Sequence, residues 1–317
     1  MKSGKQEGKK RGTIVVVLLF FILFPYVCSL FGKIQPQQME NLESVGTVWI
    51  AQDRLWGAEK IPMEEYLLGM MAATIPVDYE METLKAQAIL LRSWCMSLME
   101  TKAGVKQVSD RELKKNYLTL EQCRKMWGEN YDIKKEKIEQ ALKETKGMIL
   151  VWKGNMIAPP FFRVSNGTTR DVTEYLTHHQ EWGYLKQAEC GEDIEAEEYV
   201  SYVQISHNDF KKKIAVLLGL EKWDMEKIVL CRDEAGYVKT VQIGQEEIEG
   251  ESFRYQMGLS SSCFTLEKQE QYIQFKVKGM GHGFGFSQYK ANKMAMEGNG
   301  FWELLQYFFS DISLEKI

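Results

Sequence analysis

The chain lacks the residue patterns that would make it a nucleotide-binding, metal-binding or nucleic-acid-binding protein. No G-x-G-x-x-G can be threaded through its richest glycine segment, GMGHGFGFSQ, and no Gly-Lys-Ser/Thr follows, so neither phosphate-cradling motif is present. Cys28, Cys95, Cys123, Cys190, Cys231 and Cys263 form no C-x-x-C pair and no metal spacing. Cys28 sits in an apolar run, and the other five are odd in number, so they cannot all pair within one chain. Buried free thiols are the plain reading, with disulfides open but unforced. Histidine is scarce, at four residues. His178 and His179 with Glu181 do not make H-E-x-x-H and have no third ligand at a useful spacing, so they read as loop residues and no metal or other cofactor is expected. Positive charge is concentrated at the start: residues 1–12 carry net +4 against −4 for the whole chain, leaving −8 for the remainder. So acidic a surface is not expected to take nucleic acid as a partner. Part of the excess lies in ECGEDIEAEEY, at 189–199, which reads as a solvated loop.

What is there begins with Lys2, Lys5, Lys9, Lys10 and Arg11, followed by an uncharged apolar stretch of 19 residues from Thr13 to Phe31. That length can cross a bilayer, and the basic flank would keep the N-terminus in the cytoplasm with everything after about Gly32 outside. A cleaved signal peptide is the alternative, but no small-x-small site precedes Phe31, and Val27 and Phe31 are bulky. Pro25 is tolerable in a membrane helix. The expected organisation is a cytoplasmic tail at 1–12, a single-pass membrane anchor at 13–31, a linker at 32–45 and an extracytoplasmic domain at 46–317.

With 44% hydrophobic residues the chain can build a real core. GTVWIAQ reads as an entering strand. Pro62 then opens a helix with Tyr66, Leu67, Met70, Met71 and Thr74 at helical spacing, and Pro76 ends it. Asp78 is placed to cap a second helix, from about Tyr79 to Thr101. Its core side carries Leu84, Ala88, Leu91, Cys95 and Leu98, while Glu82, Lys85, Ile89 and Arg92 form a second stripe. Residues 103–146 are charged and helical in pattern and look peripheral. From 147 the character changes to strands: MILVW, MIAPPFFRVS, YVSYVQIS, KIVLC, YVKTVQIG and YIQFKVKG, interrupted once by a helical DFKKKIAVLLGL. The fold class expected is α+β, with helices around a strand-rich middle.

Gly279, Gly281, Gly283 and Gly285 alternate with Met280, His282, Phe284 and Phe286. Read as an extended segment, this strips one face of side chains and offers a floor to a flat ligand, with the His282 ring unobstructed. Ser287 is placed to cap a helix from about Gln288 to Glu297, or to bond a ligand together with Gln288.

The stretch GMGHGFGFSQYKANKMAMEGNGFWELLQYFF resembles the C-terminal signature of the stage II sporulation protein D family, which shares a domain with the amidase enhancer LytB. MEEYLLGMMAATIPVDYEMETLKAQAILLRSWCM, at 63–96, is similar to the family's N-terminal helix pair, and GESFRYQMGLSSSCF, at 250–264, to its strand-and-turn block. The resemblance implies a lytic transglycosylase acting on peptide-stripped peptidoglycan strands near the septal wall during engulfment, partnered by a membrane scaffold and a sporulation amidase. Its proton donor would be a glutamate in an A-A-E-M-P type motif. Here that stretch is Ala72, Ala73, Thr74, Ile75, Pro76. A threonine hydroxyl cannot donate a proton near neutral pH, and general acid catalysis is worth about 10²–10⁴-fold. Either a nearby carboxyl, Glu82, Asp78 or Glu80, replaces the acid, or the chain binds glycan without cutting it efficiently. The expected ligand contacts are Thr74, Arg92, Gly281, His282, Gly283, Ser287 and Gln288, and the family keeps a histidine at the position of His282. Arg92 would meet a muramic carboxylate, or else simply pair with an acid of the protein.

Overall fold

The computed structural model describes residues 49–54, 57–100, 107–109, 113, 116–174, 179–219 and 228–317. The expected basic tail, membrane anchor and linker, together with Cys28 and His178, lie outside the described residues. No described helix is long and apolar enough to cross a membrane. The described elements belong to the unit Val48–Lys316.

Strands β1 (Trp49–Arg54) and β2 (Gly57–Pro62) form a hairpin that leads into α1 (Met63–Thr74). Tyr66, Leu67, Met70 and Met71 of α1 are fully buried, as their spacing predicts. Ile75, before Pro76, is extended at φ −138° and ψ 145°, which ends the helix. Helix α2 (Met81–Glu100) starts later than the sequence suggested. Asp78 is not its cap: that carboxylate is 77% exposed and pairs with Lys134 at 2.8 Å. The first turn is held instead from a distant element, with the Glu80 N–H donating to Asn292 Oδ1 at 2.7 Å. The core stripe of α2 is interior at Leu84, Ala88, Leu91 and Cys95, and Ile89 and Arg92 of the second stripe have no exposed surface either, while Glu82 and Lys85 stay partly exposed.

Strand β3 (Gln107–Ser109) pairs parallel with β1, and α3 (Leu120–Trp127) and α4 (Tyr131–Glu144) follow. The charged stretch expected to be peripheral is not: α4 packs on α1 and α2 and buries Ile138, Ala141 and Leu142. Three apolar residues at helical spacing suffice to seat an otherwise charged helix. β4 (Met148–Trp152) lies against α2. In MIAPPFFRVS the two prolines allow only the short β5 (Asn155–Met156) and β6 (Phe161–Phe162).

The strand-rich part contains β7 (Val200–Ser206), α5 (His207–Leu218), β8 (Ile228–Arg232), β9 (Val238–Ile243), β10 (Glu246–Glu249), α6 (Gly250–Met257), β11 (Phe264–Lys268) and β12 (Tyr272–Lys278). Two antiparallel sheets result, in orders β10-β9-β8 and β11-β12-β7. They share a core with α5 and α6 in which Phe210, Phe253, Phe264 and Phe275 meet Val238, Val241 and Val277. GESFRYQM is helix α6, not the strand expected from the resemblance. A Cβ on Gly250 would lie 1.9 Å from Val238 O, so only glycine lets this helix start against β9. β13 (Phe286–Ser287), α7 (Gln288–Met296), α8 (Phe301–Phe308) and β14 (Ile312–Lys316) complete the chain. β14 pairs with β4, while α7 and α8 return to α2. Helices therefore surround a strand-rich middle, the α+β arrangement expected. Cys95, Cys123, Cys190 and Cys263 are buried thiols in no disulfide, and Cys231 is an exposed one.

Candidate functional site

The glycine run is not a strand with a bare face. Gly279, Gly281, Gly283 and Gly285 all have positive φ, at 79°, 124°, 82° and 75°, so the segment is an irregular backbone and not a regular strand. The side from which Cβ atoms are missing is filled by the protein itself. Added Cβ atoms would lie 2.7 Å from Val164 O, 2.4 Å from Phe162 Cβ, 2.5 Å from Tyr237 Cζ and 2.4 Å from Pro160 O, in that order. Gly281 and Gly283 are therefore packing positions and not a ligand floor. The backbone of the run acts as a spine: the Gly279 N–H donates to Tyr199 O at 2.7 Å, Met280 O accepts from the Arg163 and Val164 N–H groups at 3.1 Å, and Gly283 O accepts from the Arg170 N–H at 2.8 Å. Arg170 is buried, with Nε at 2.6 Å from Asp233 Oδ2 and Nη1 at 3.3 Å from His282 O.

His282 is half-buried. Its Nδ1 accepts from the Phe284 N–H at 3.1 Å, and its ring centroid lies 5.7 Å from that of Phe162. That bond closes a local turn and fixes the imidazole relative to the run.

Ser287 does not cap α7. Its hydroxyl is fully buried and donates to Asp193 Oδ2 at 2.7 Å, and the Ser165 N–H donates to the same oxygen at 2.6 Å. Burial pushes the Asp193 carboxyl above its ordinary pKa, against the lowering effect of those bonds. Gln288 is interior as well, with Nε2 donating to Thr74 O at 2.9 Å and to Gln87 Oε1 at 3.0 Å. The structure thus brings Thr74 and Gln288 together, but through a buried amide that ties α7 to the end of α1. Neither Ser287 nor Gln288 is open to a ligand.

Thr74 Oγ1 donates to Met70 O at 2.7 Å, within its own helix. Two of the carboxyls expected to stand in as acid are engaged elsewhere. Glu82 accepts from the Phe301 N–H at 2.9 Å, closing the N-terminus of α8, and bonds Lys85 at 2.7 Å. Asp78 holds Lys134, as above. Arg92, expected at a muramic carboxylate, has no exposed surface; it forks onto Glu64 at 2.7 and 2.9 Å and donates to Thr145 O at 2.8 Å. Partnership with an acid of the protein, the alternative left open by the sequence, is the arrangement found.

Lys134, on Asp78, and Lys137, whose Nζ donates to Tyr79 O at 2.6 Å, stand beside the α1–α2 turn, and so does Arg163, which carries no local sequence signal. Its guanidinium lies 5.0 Å from the Tyr79 ring centroid and 3.0 Å from Glu198 Oε1, and its carbonyl accepts from the Tyr289 N–H at 3.1 Å. Burial, reinforced by Glu198 and Asp193 and opposed by Arg163, pushes the Tyr79 phenol up to about 12. At Glu198 burial raises the carboxyl, but a backbone bond and Arg163 outweigh it and hold the group below its ordinary value. Tyr79, Arg163, Glu198 and Tyr289 come from four separate places in the chain, and no local motif unites them. All four are partly exposed, so together they present a surface with aromatic and charged groups. A cavity of about 460 Å³ opens elsewhere, lined by Leu68, Leu120 and Leu142 with Glu64, Glu65 and Lys135. It contains none of the expected site residues. Among the described residues no group of three His, Cys, Asp or Glu could hold a metal ion.

A family model described as stage II sporulation protein matches residues 51–152. The chain is similar to stage II sporulation protein D of Bacillus amyloliquefaciens, at 30% identity over 263 residues that cover 81% of this chain and 75% of that protein. It is similar to stage II sporulation protein D of Bacillus subtilis (strain 168), at 30% identity over 266 residues that cover 81% and 76%. An uncharacterized protein of Brachyspira hyodysenteriae is 24% identical over 268 residues, covering 83% and 69%.

Proposed function

The chain belongs to the stage II sporulation protein D family, and from that premise we propose that it binds peptide-stripped peptidoglycan strands at the septal wall without cutting them efficiently. Membership supports a role in sporulation. The glycan ligand, the external location on a membrane anchor at 13–31, and partnership with an amidase and a membrane scaffold belong to the proposal.

One observation carries it. The Thr74 hydroxyl is tied to Met70 O at the position of the family acid, and Glu82 and Asp78 serve α8 and Lys134. Of the other carboxyls near the α1–α2 turn, Glu198 is held ionised by its backbone bond and Arg163, Asp193 is wholly interior, and the Glu80 side chain is exposed to solvent. An ionised carboxylate cannot protonate a leaving oxygen, and a buried one cannot reach it. What remains suits recognition. The exposed part of the Tyr79 ring and Tyr289 offer apolar faces to sugar rings, Arg163 offers charge-assisted bonds to carboxylates, and half-buried His282 is retained as a contact.

The full chain in detergent, incubated with peptide-stripped strands, is expected to retain them and to release no anhydro-muramic ends. Thr74→Glu supplies the missing acid and is expected to start their release. Anhydro ends from the unaltered chain would overturn the proposal.

A further inference from the structure

Among the described residues, the β11-β12-β7 sheet is covered on one side only. Ile205, Ile273, Phe275 and Val277 point into the core shared with α5 and α6. The alternate residues point outward, as strand geometry requires. Register places Tyr202 opposite Lys276, Gln204 opposite Gln274, and Val200 opposite Lys278. Tyr202 is 60% exposed, a large aromatic at the middle of an uncovered face. Gln204 Nε2 donates to Gln274 Oε1 at 3.2 Å, which leaves the remaining amide groups of the pair directed to solvent. Lys276 and Lys278 are exposed, and neither forms a salt bridge among the described residues. Glu267, opposite Gln274 on β11, is the acidic neighbour. Beyond residue 12 the chain is net acidic, yet two lysines and one glutamate give this face net positive charge.

The face is continuous with the surface described above. β7 begins immediately after the Glu197–Tyr199 turn, whose Glu198 holds Arg163. β12 ends at Lys278, directly before Gly279 and Met280, whose backbone groups bond Tyr199, Arg163 and Val164. A polymer lying on Tyr79 and Arg163 and longer than a few sugars must continue somewhere, and the open sheet starts where that surface ends.

We infer that the outward face of this sheet, centred on Tyr202 and flanked by Lys276 and Lys278, is the continuation of the glycan path, taking further sugar units of a peptide-stripped strand. This rests on the proposed glycan reading. Tyr202 supplies a ring for sugar faces, the Gln204–Gln274 pair supplies amides for hydroxyl and acetamido groups, and the lysines meet the lactyl carboxylates that peptide removal exposes. A flat polar sheet with one central aromatic and unpaired cations fits an acidic polysaccharide better than it fits an apolar protein surface.

The test compares a labelled long peptide-stripped strand with a tetrasaccharide from the same polymer, using the full chain in detergent. Tyr202→Ala and Lys276→Glu change exposed side chains, so folding is not at stake. Each is expected to weaken long-strand binding about tenfold, the size of one lost anchor. Tetrasaccharide binding should be unchanged, and Lys276→Glu should also flatten the salt dependence. Arg163→Ala should weaken both ligands. Unchanged long-strand affinity in both sheet variants overturns this inference and leaves the glycan reading standing, as does a loss that strikes the tetrasaccharide equally. If Tyr202→Ala abolishes self-association without touching glycan affinity, the face belongs to a second copy and the inference fails. If the unaltered chain binds neither ligand, the glycan reading fails with it.

Discussion

Substituting Gly283 by alanine separates a structural spine from a ligand floor. Gly283 has φ +82°, and a Cβ there would stand 2.5 Å from Tyr237 Cζ and 2.8 Å from its hydroxyl oxygen. Two costs follow. The left-handed backbone costs a non-glycine residue roughly 1–2 kcal/mol. The clash is with a side chain that cannot swing aside, because Tyr237 is 1% exposed, its Oη accepts from the Asn166 N–H, and the Arg170 guanidinium lies 5.0 Å from its ring centroid. Overpacking of this kind costs about 1–3 kcal/mol. The sum, roughly 2–5 kcal/mol, corresponds to a fall in thermal midpoint of about 3–9 °C for a chain of this size. Gly298 is the control: its φ is +97°, but nothing stands within 4 Å of the Cβ it would gain. Gly298→Ala should show the backbone cost alone. Scanning calorimetry of both variants isolates the packing contribution as their difference. If Gly283→Ala kept the unaltered midpoint while glycan binding vanished, the run would be a ligand floor after all and the packing argument would be wrong.

Glu82→Gln should lower stability by about 0.5–2 kcal/mol, because the N-terminus of α8 and Lys85 lose a charged partner while the amide oxygen still accepts from Phe301. Denaturant titration reads that loss. An accompanying change in anhydro-muramic product would restore Glu82 as the acid. Asp193→Asn addresses pH. Burial raises the folded-state pKa of Asp193 above its unfolded value, so its contribution to stability is greatest at low pH and declines as pH rises through the raised value. The amide oxygen can still accept from Ser165 and Ser287 and carries no charge. The variant's midpoint minus the unaltered midpoint should therefore climb from pH 4 to pH 8. A flat or falling difference would show that the carboxylate is stabilised where it sits.

How far the sequence could be read depended on whether a feature was local. α1, its end before Pro76, the core stripe of α2 and most strands follow from periodicity and proline position, which act within a few residues. The α6 segment was misjudged because resemblance outweighed its own helical spacing of Phe253 and Met257. The site failed at a different level. Reading the glycines as a floor assumed an extended backbone, and alternation alone cannot distinguish that from an irregular backbone with positive φ at each glycine. Arg92 and Glu82 share a stripe of α2 with Lys85, and helical spacing alone does not tell which partner each one meets. Arg92 is the interior half of a fork with Glu64, 28 residues away, and Glu82 reaches Phe301, 219 residues away. Arg163, the residue that stands beside the α1–α2 turn, carried no signal in a stretch of apolar and proline residues. The pairing of Met280 with Arg163 and Val164, together with the bond from the Tyr289 N–H to Arg163 O, places it there. The same glycine run therefore sets the Arg163 surface, since glycine at 281 lets β6 approach closely enough to carry Arg163 to Tyr79. A substitution in the run should then disturb the Arg163 surface through the backbone without touching any ligand.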